Sequence, residues 1–299
     1  MTPKPGQPRA RVAAKDPAGR LYLVGSPIGN LEDITLRAIR TLKEVDVVAC
    51  EDTRRTQRLL DHYRIETPTV SYHEHNELTR APELIIAMEE GSSIALVSDA
   101  GMPVISDPGY RLVKLAIRHG LPVVPVPGAS AFVAALSASG LPIDRFRFLG
   151  FLPHKKTQRR QAIEELKPTQ KTQVFYEAPH RILETLGDIR KILGDRPLVV
   201  AREVTKIHEE FVRGSAAEVL EHLKKKPVKG EITVLVGPVA DSNHGAASEP
   251  ERPIRKELEQ VMADRDLDER AALKVVARAR GVSRSEAYRQ WQSEKSSDK

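Results

Sequence analysis

The chain has 299 residues, 40% of them hydrophobic, with a single cysteine and 47 Lys and Arg against 41 Asp and Glu, a formal net charge of +6. That length suffices for two domains with cores of their own, the lone Cys50 excludes an internal disulfide and suggests a reducing compartment, and no run approaches the roughly 18 apolar residues that cross a membrane. The modest positive excess permits a polyanionic partner without demanding one.

Residues 1–20 carry Lys4, Arg9, Arg11, Lys15 and Arg20 against Asp16, amid prolines and alanines without periodicity, and read as a disordered basic arm. Its prolines and its lack of serine argue against the amphipathic helix of an organelle presequence. From Leu21 onward short apolar runs alternate with amphipathic stretches, the rhythm of βαβ units and a mainly parallel sheet. Strands are predicted at Leu21 to Val24, Val45 to Ala49, Thr69 to Tyr72, Ile94 to Val97 and Val123 to Val126. The helix between the first two carries Ile34, Leu36, Ile39 and Leu42 on one face, with Asp33 as its expected N-cap. Asp107-Pro108-Gly109 reads as the entry to a helix over Tyr110 to His119, and a helix from Ser130 to Ser139 closes on Gly140. These elements form a first α/β domain over residues 21–141.

A second α/β domain over residues 142–238 offers strands at Arg147 to Phe151, Val174 to Tyr176, Leu198 to Ala201 and Ile232 to Val236, and helices near Gln158 to Leu166 and Arg181 to Leu193. Glu203 to Glu210 is a further strand candidate. Neither it nor Ile232 to Val236 has a clear helix after it, which predicts antiparallel pairing. Two α/β layers in series predict a cleft between them. Residues 239–253, rich in Pro, Ser, Ala and Asn, read as a linker. In residues 254–299, Ala271, Leu273, Val276, Ala277 and Arg280 repeat at helical spacing, Gly281 ends the helix, and Ser283 to Glu286 is a capping box that starts another. The pattern fits a helix-turn-helix, with Arg278, Arg280, Arg284 and Arg289 toward nucleic acid, and equally a plain helical hairpin.

Several chemistries are excluded. No G-x-x-x-x-G-K-[ST] supports nucleotide hydrolysis, Gly25-Ser26-Pro27-Ile28-Gly29 lacks dinucleotide-binding spacing, and no Gly-x-Ser-x-Gly supports a serine hydrolase. His73-Glu74-His75 has no third spaced ligand, so no metal is expected. What remains is a series of polar clusters, each after a strand: Glu51 to Arg54, His73 to Glu77, Ser98 to Gly109, Pro127 to Ala131, Glu177 to Arg181 and Arg202 to Lys206. Parallel strands would gather them on one rim, where α/β sheets bind ligands. Asp99 and Asp107 stand out there, with turn or cap residues as their ordinary alternative.

In sequence order, VGSPIGNLEDIT, EDTR, HEHNE, SDAGMPVISDPG, VPGASA, GFLP, YEAPHR, REVTK and KGE resemble the ribosomal RNA small subunit methyltransferase I family, within the tetrapyrrole-methylase-like class. The resemblance spans about Leu21 to Gly237. It implies two consecutive α/β domains of the tetrapyrrole methylase type with a cleft between them, plus a small C-terminal helical domain. It also implies a cytoplasmic homodimer that uses S-adenosylmethionine to methylate the ribose 2′-hydroxyl of a cytidine in the decoding region of 16S rRNA, on naked RNA or in the small ribosomal subunit. For the cofactor it implies Pro27, Asp99, Gly101, Met102, Val104, Ser130, Ala131, Tyr176, Arg202 and Thr233. The tetrapyrrole relatives read Gly-Asp-Pro where this chain reads Ser98-Asp99-Ala100. A donor without phosphates needs no phosphate nest, consistent with the missing P-loop.

A ribose hydroxyl is a weak nucleophile, so a base or a cation near it is expected; Glu203 is the candidate base and Lys206 its electrostatic partner, with a structural ion pair as the alternative. Arg54, His75 and Glu77, beside Glu51 and Asp52, are expected on the substrate side. Lys155, Lys156, Arg159 and Arg160, with Lys224 to Lys226, are expected to meet RNA phosphates. Competing expectations are a methylase of a tetrapyrrole or other small acceptor, and a non-catalytic RNA-binding assembly factor.

Overall fold

The computed structural model describes residues 19–239 and 253–297, apart from the side chains of 295–297. The expected arm at 1–20, except Gly19 and Arg20, and residues 240–252 of the expected linker lie outside the described residues. Among those described, no helix is long and apolar enough to cross a membrane.

In chain order the first half runs β1 (Leu21–Val24), α1 (Leu36–Glu44), β2 (Val47–Cys50), α2 (Thr53–His62), β3 (Thr69–Ser71), α3 (Glu77–Glu89), β4 (Ile94–Val97), α4 (Tyr110–Arg118), β5 (Val123–Val126) and α5 (Ala131–Ser137). The strands pair in parallel in the order β3-β2-β4-β1-β5. Alternation along each strand serves two cores. Leu21, Ile94 and Leu96 pack with α3 and α4 on one face, and Val24, Val48, Ala95 and Val97 pack with α1 and α2 on the other. β1 and β4 are neighbours whose connections leave in opposite directions along the sheet, an arrangement that places ligands outside the carboxyl ends of the strands. A bridge between Ser26 and Gly101 ties those two loops together, with Ser26 N donating to Gly101 O at 2.9 Å.

The second half runs β6 (Phe146–Phe151), α6 (Lys156–Glu164), β7 (Thr172–Glu177), α7 (Ile182–Leu193), β8 (Pro197–Arg202), β9 (Glu210–Ser215), α8 (Ala216–Leu223) and β10 (Ile232–Val236). Its order is β6-β7-β10-β8-β9, with β6 and β7 parallel and every other pair antiparallel. Helices α6, α7 and α8 cover one face. The other face takes Phe132, Ala135 and Leu136 from α5 against Val174, Val199 and Leu235, with the Phe132 and Phe148 rings stacked at 4.4 Å. Helix α5 therefore fastens the sheets together and fixes the loops that face each other across the gap.

Three expectations change. Asp33 is not the N-cap of α1; it ends a short 3-10 turn, and Thr35, one residue before the helix, caps it by accepting from Ala38 N at 3.1 Å. Residues 203–209 form turns instead of a strand, and β9 begins at Glu210. Helix α8 follows, started by a reciprocal Ser215–Glu218 capping box.

The C-terminal unit has one helix more than its sequence pattern suggested: α9 (Ile254–Arg265), α10 (Glu269–Ala279) and α11 (Arg284–Ser297). They enclose a small core of Ile254, Leu258, Leu273, Val276 and Trp291. Ser283 accepts from Glu286 N at 3.2 Å at the start of α11. Arg280 is turned inward onto Glu257 at 2.9 Å, so that of the four arginines expected to meet nucleic acid Arg278, Arg284 and Arg289 are exposed.

Candidate active site

Two contiguous cavities open between the sheets. The first, about 310 Å³, is walled by the loop after β4 (Asp99 to Met102, then Ile105 to Asp107), by Ser130 and Ala131 at the start of α5, and by Phe151, Tyr176, Val204 and Thr233 of the second half. Its volume and mixed lining suit a small organic ligand. The second, about 340 Å³, lies between Ser26 to Gly29, the α2 face carrying Arg55, Arg58 and Leu59, and Lys206. Ile28, Arg55, Asp99, Ala100 and Glu231 line both.

Asp99 stands on the shared wall. Its Oδ1 accepts from Asp52 N at 3.3 Å and its Oδ2 from Arg55 Nη1 at 2.9 Å, so the carboxylate reaches the cavities already oriented. The loops on either side are strained. Among the described residues six that are not glycine have positive φ, and four of them lie in the two loops that border this cleft: Val104 (76°), Ser106 (64°), Glu203 (52°) and Thr205 (71°). Such conformations, worst for a β-branched residue like Val104, cost about 1–3 kcal/mol each and concentrate at ligand sites.

Glu203 and Lys206 form one unit. Glu203 Oε1 accepts from Lys206 Nζ at 2.8 Å and from Glu231 N at 2.9 Å, and Lys206 also pairs with Glu231 at 3.3 Å. Two glycines make room. A Cβ at Gly230 would sit 2.3 Å from the Glu203 carboxyl, and one at Gly29 would sit 2.4 Å from Lys206 Cγ. The Lys206 hydrogen bond holds the Glu203 carboxyl below its usual range, against a smaller opposing effect of burial. Glu203 lines neither cavity. It is therefore poorly suited to be the expected base, and its geometry is that of a group that aims Lys206 into the second cavity.

A sequence model of the family described as "Tetrapyrrole (Corrin/Porphyrin) Methylases" matches residues 20–220. The chain is 50% identical to the Ribosomal RNA small subunit methyltransferase I of Halalkalibacterium halodurans over 92% of its own length and 95% of that protein. It is 51% identical to the protein of the same name from Thermotoga maritima, over 73% of this chain and 98% of that one. This chain belongs to the ribosomal RNA small subunit methyltransferase I family. The uroporphyrin-III C-methyl transferase of Thermus thermophilus, complexed with S-adenyl homocysteine, shares its fold: TM-score 0.52 and 24% identity over 73% of this chain and 97% of that one.

Of the residues the sequence singled out in this methyltransferase, Asp99, Gly101, Met102, Ser130, Ala131, Tyr176 and Thr233 line the first cavity, and Pro27 and Lys206 the second. Val104 and Arg202 line neither. Val104 packs against the core under α4, and Arg202 is taken up by its cross-strand partner Glu210 at 2.9 and 3.0 Å. Arg54 folds back onto Asp52 at the start of its own helix, and its neighbour Arg55, one helical step round, is the one that enters the cleft. His75 and Glu77 lie outside both cavities, and no group of three metal ligands occurs among the described residues.

The basic segment after β6 divides. Lys155 and Lys156 are exposed, the latter paired with Glu184 at 3.1 Å. Arg159 is 1% exposed and holds Asp188 at 2.8 and 3.2 Å and Glu184 at 3.0 Å, so it is a core ion pair and not a phosphate contact. Arg160 shares Asp188 at 2.7 Å and stays half-exposed. Sequence reasoning missed Ile28, Arg55, Arg58, Phe151, Val204 and Glu231. Arg55 and Arg58 carried the readable signal, since their i, i+3 spacing puts both on one face of α2.

Proposed function

We infer that this methyltransferase transfers a methyl group from S-adenosylmethionine to the ribose 2′-oxygen of a cytidine in the decoding region of 16S rRNA. The observation that carries the reading is a neutral-to-acidic, largely apolar cavity joined through Asp99 to a second cavity bearing Arg55, Arg58 and Lys206. The donor set of the first cavity fits S-adenosylmethionine. Asp99 suits an ammonium or ribose hydroxyls, Met102, Ile105 and Tyr176 offer apolar and aromatic surface, and Ser130 and Thr233 offer hydroxyls. When bound, that donor supplies an already activated methyl carbon, so the protein's main task is to place the acceptor oxygen about 3 Å from it and to exclude water. The cations of the second cavity suit the phosphates that flank an acceptor nucleotide, and exposed Lys155 and Lys156 extend the path for RNA.

A cytoplasmic homodimer completes the reading. Helices α3 and α4 pack together and expose Leu78, Ile86, Tyr110 and Ile117, an apolar surface that suits a second copy of this chain. The test is to map ribose methylation of 16S rRNA from cells without this protein, and to restore it with purified protein and S-adenosylmethionine. The expected result is loss of one 2′-O-methylcytidine in the decoding region and its return. An unchanged map, or methylation elsewhere, refutes the assignment.

A further inference from the structure

Four carboxylates line the two cavities, Asp99, Asp107, Glu177 and Glu231, and three of them are engaged. Both oxygens of Asp99 accept hydrogen bonds from Asp52 N and Arg55. Glu177 accepts from Arg181, Ala178 N and Thr185. Glu231 pairs with Lys206. Asp107 lines the first cavity, opposite Tyr176 and Thr233, and no protein donor reaches its carboxyl among the described residues. The strained turn through Val104 and Ser106 delivers it there. A side chain held at such cost without a protein partner is one whose partner arrives with the ligands.

We propose that Asp107 is the general base that takes the proton from the acceptor ribose hydroxyl. This rests on the ribose-methylation reading above. As the hydroxyl oxygen bonds to the methyl carbon, the carbon–sulfur bond breaks with its electron pair going to sulfur, the hydroxyl proton passes to an Asp107 carboxylate oxygen, and S-adenosylhomocysteine leaves. Atoms and charge balance without another reactant.

The surroundings of Asp107 suit the task. Burial, then the charges of Glu51 at the end of β2 and Asp99 at the end of β4, push its carboxyl up to about 7, where a base is both available and effective at neutral pH. The other groups along that cavity are Tyr176, Glu177, Glu231 and the Arg55 guanidinium, the last committed to Asp99. With its carboxyl raised, Asp107 is partly protonated in the free protein near neutral pH, and a cationic donor beside it favours the ionised form and expels the proton.

The test combines binding and turnover. Titrating S-adenosylmethionine into wild-type protein at pH 7 in buffers of different ionisation enthalpy should show proton release, which Asp107→Asn abolishes. S-adenosylhomocysteine, without the sulfonium charge, should bind wild type and Asp107→Asn within about threefold of each other. Single-turnover methylation should fall roughly a hundredfold or more in Asp107→Asn, and the kcat/KM of wild type should rise to a plateau through about pH 7 while the variant stays flat. Wild-type turnover by Asp107→Asn, or loss of S-adenosylhomocysteine binding, overturns the assignment and makes Asp107 a spectator or a binding group. Wild-type protein that binds donor and methylates no ribose in 16S rRNA instead refutes the ribose-methylation reading, and the base falls with it.

Discussion

Replacing Arg159 with methionine separates fold from RNA contact at a residue whose sequence context points the wrong way. The side chain is 1% exposed, and its removal leaves Asp188, itself 4% exposed, with Arg160 as its remaining cation at 2.7 Å. Breaking a buried pair by removing one partner costs about 3–5 kcal/mol, and the surviving Arg160 bond puts Arg159→Met at the lower end, about 3 kcal/mol. For a unit of this size each kcal/mol shifts the midpoint by about 2–4 °C, so Tm should drop by about 6–12 °C. The double variant Arg159→Met with Asp188→Leu should recover most of that loss, because an apolar pair needs no compensation. Burial opposes ionisation of Asp188, yet its hydrogen bonds to Arg159 and Arg160 outweigh that and hold its carboxyl below the usual range. A depressed carboxyl stabilises the fold above its unfolded value and loses that contribution as pH falls through the folded one. The gap between wild type and Arg159→Met should thus be constant from about pH 5 to 8 and close below about pH 4. Thermal unfolding followed by circular dichroism measures it. A variant within about 1 kcal/mol of wild type that nevertheless binds RNA weakly would refute the reasoning and restore Arg159 to the RNA path.

Asp99→Asn removes a charge-assisted acceptor from the shared wall, and calorimetry should show S-adenosylhomocysteine affinity reduced about tenfold to a hundredfold; unchanged affinity would place the ligand elsewhere. Gly230→Ala forces a Cβ to within 2.3 Å of the Glu203 carboxyl at a φ of +86°, so it should cost about 1–3 kcal/mol. By freeing Lys206 it should also raise the RNA KM while leaving donor binding intact. The double variant Lys155→Ala with Lys156→Ala should leave Tm within about 2 °C and reduce the slope of log K against log salt by about 1–2. An unchanged slope would remove both residues from the RNA path.

The architecture was readable because each core strand carries a short apolar run and the polar clusters sit where those runs stop. Paired strand-to-loop borders at Val97-Ser98 and Val126-Pro127 were enough to place Asp99 and Ser130 on one rim. What the sequence concealed was orientation. Arg54 and Arg55 are adjacent and chemically identical, and only the pitch of α2 decides that Arg55 meets Asp99 while Arg54 donates back to Asp52, the N-cap of that helix. Arg159 sits in a run that looks solvated, and its burial depends on Asp188, which is 29 residues away in sequence. Residues 203–209 hid their turn because positive φ at Glu203 and Thr205 contradicts local propensity, and it is sustained by Lys206, by the Gly230 segment and by Glu209, which accepts from Thr205 N at 2.7 Å. Helix α8 was missed although Ser215-Ala216-Ala217-Glu218 spells its capping box.

The most direct test of the whole account is a crystal structure of this protein with S-adenosylhomocysteine. Density should lie in the cavity between the Asp99–Asp107 loop and Tyr176 and Thr233, with Asp99 within hydrogen-bond distance of the ligand. Density bound outside that cleft, with the cavity holding only water, would contradict it.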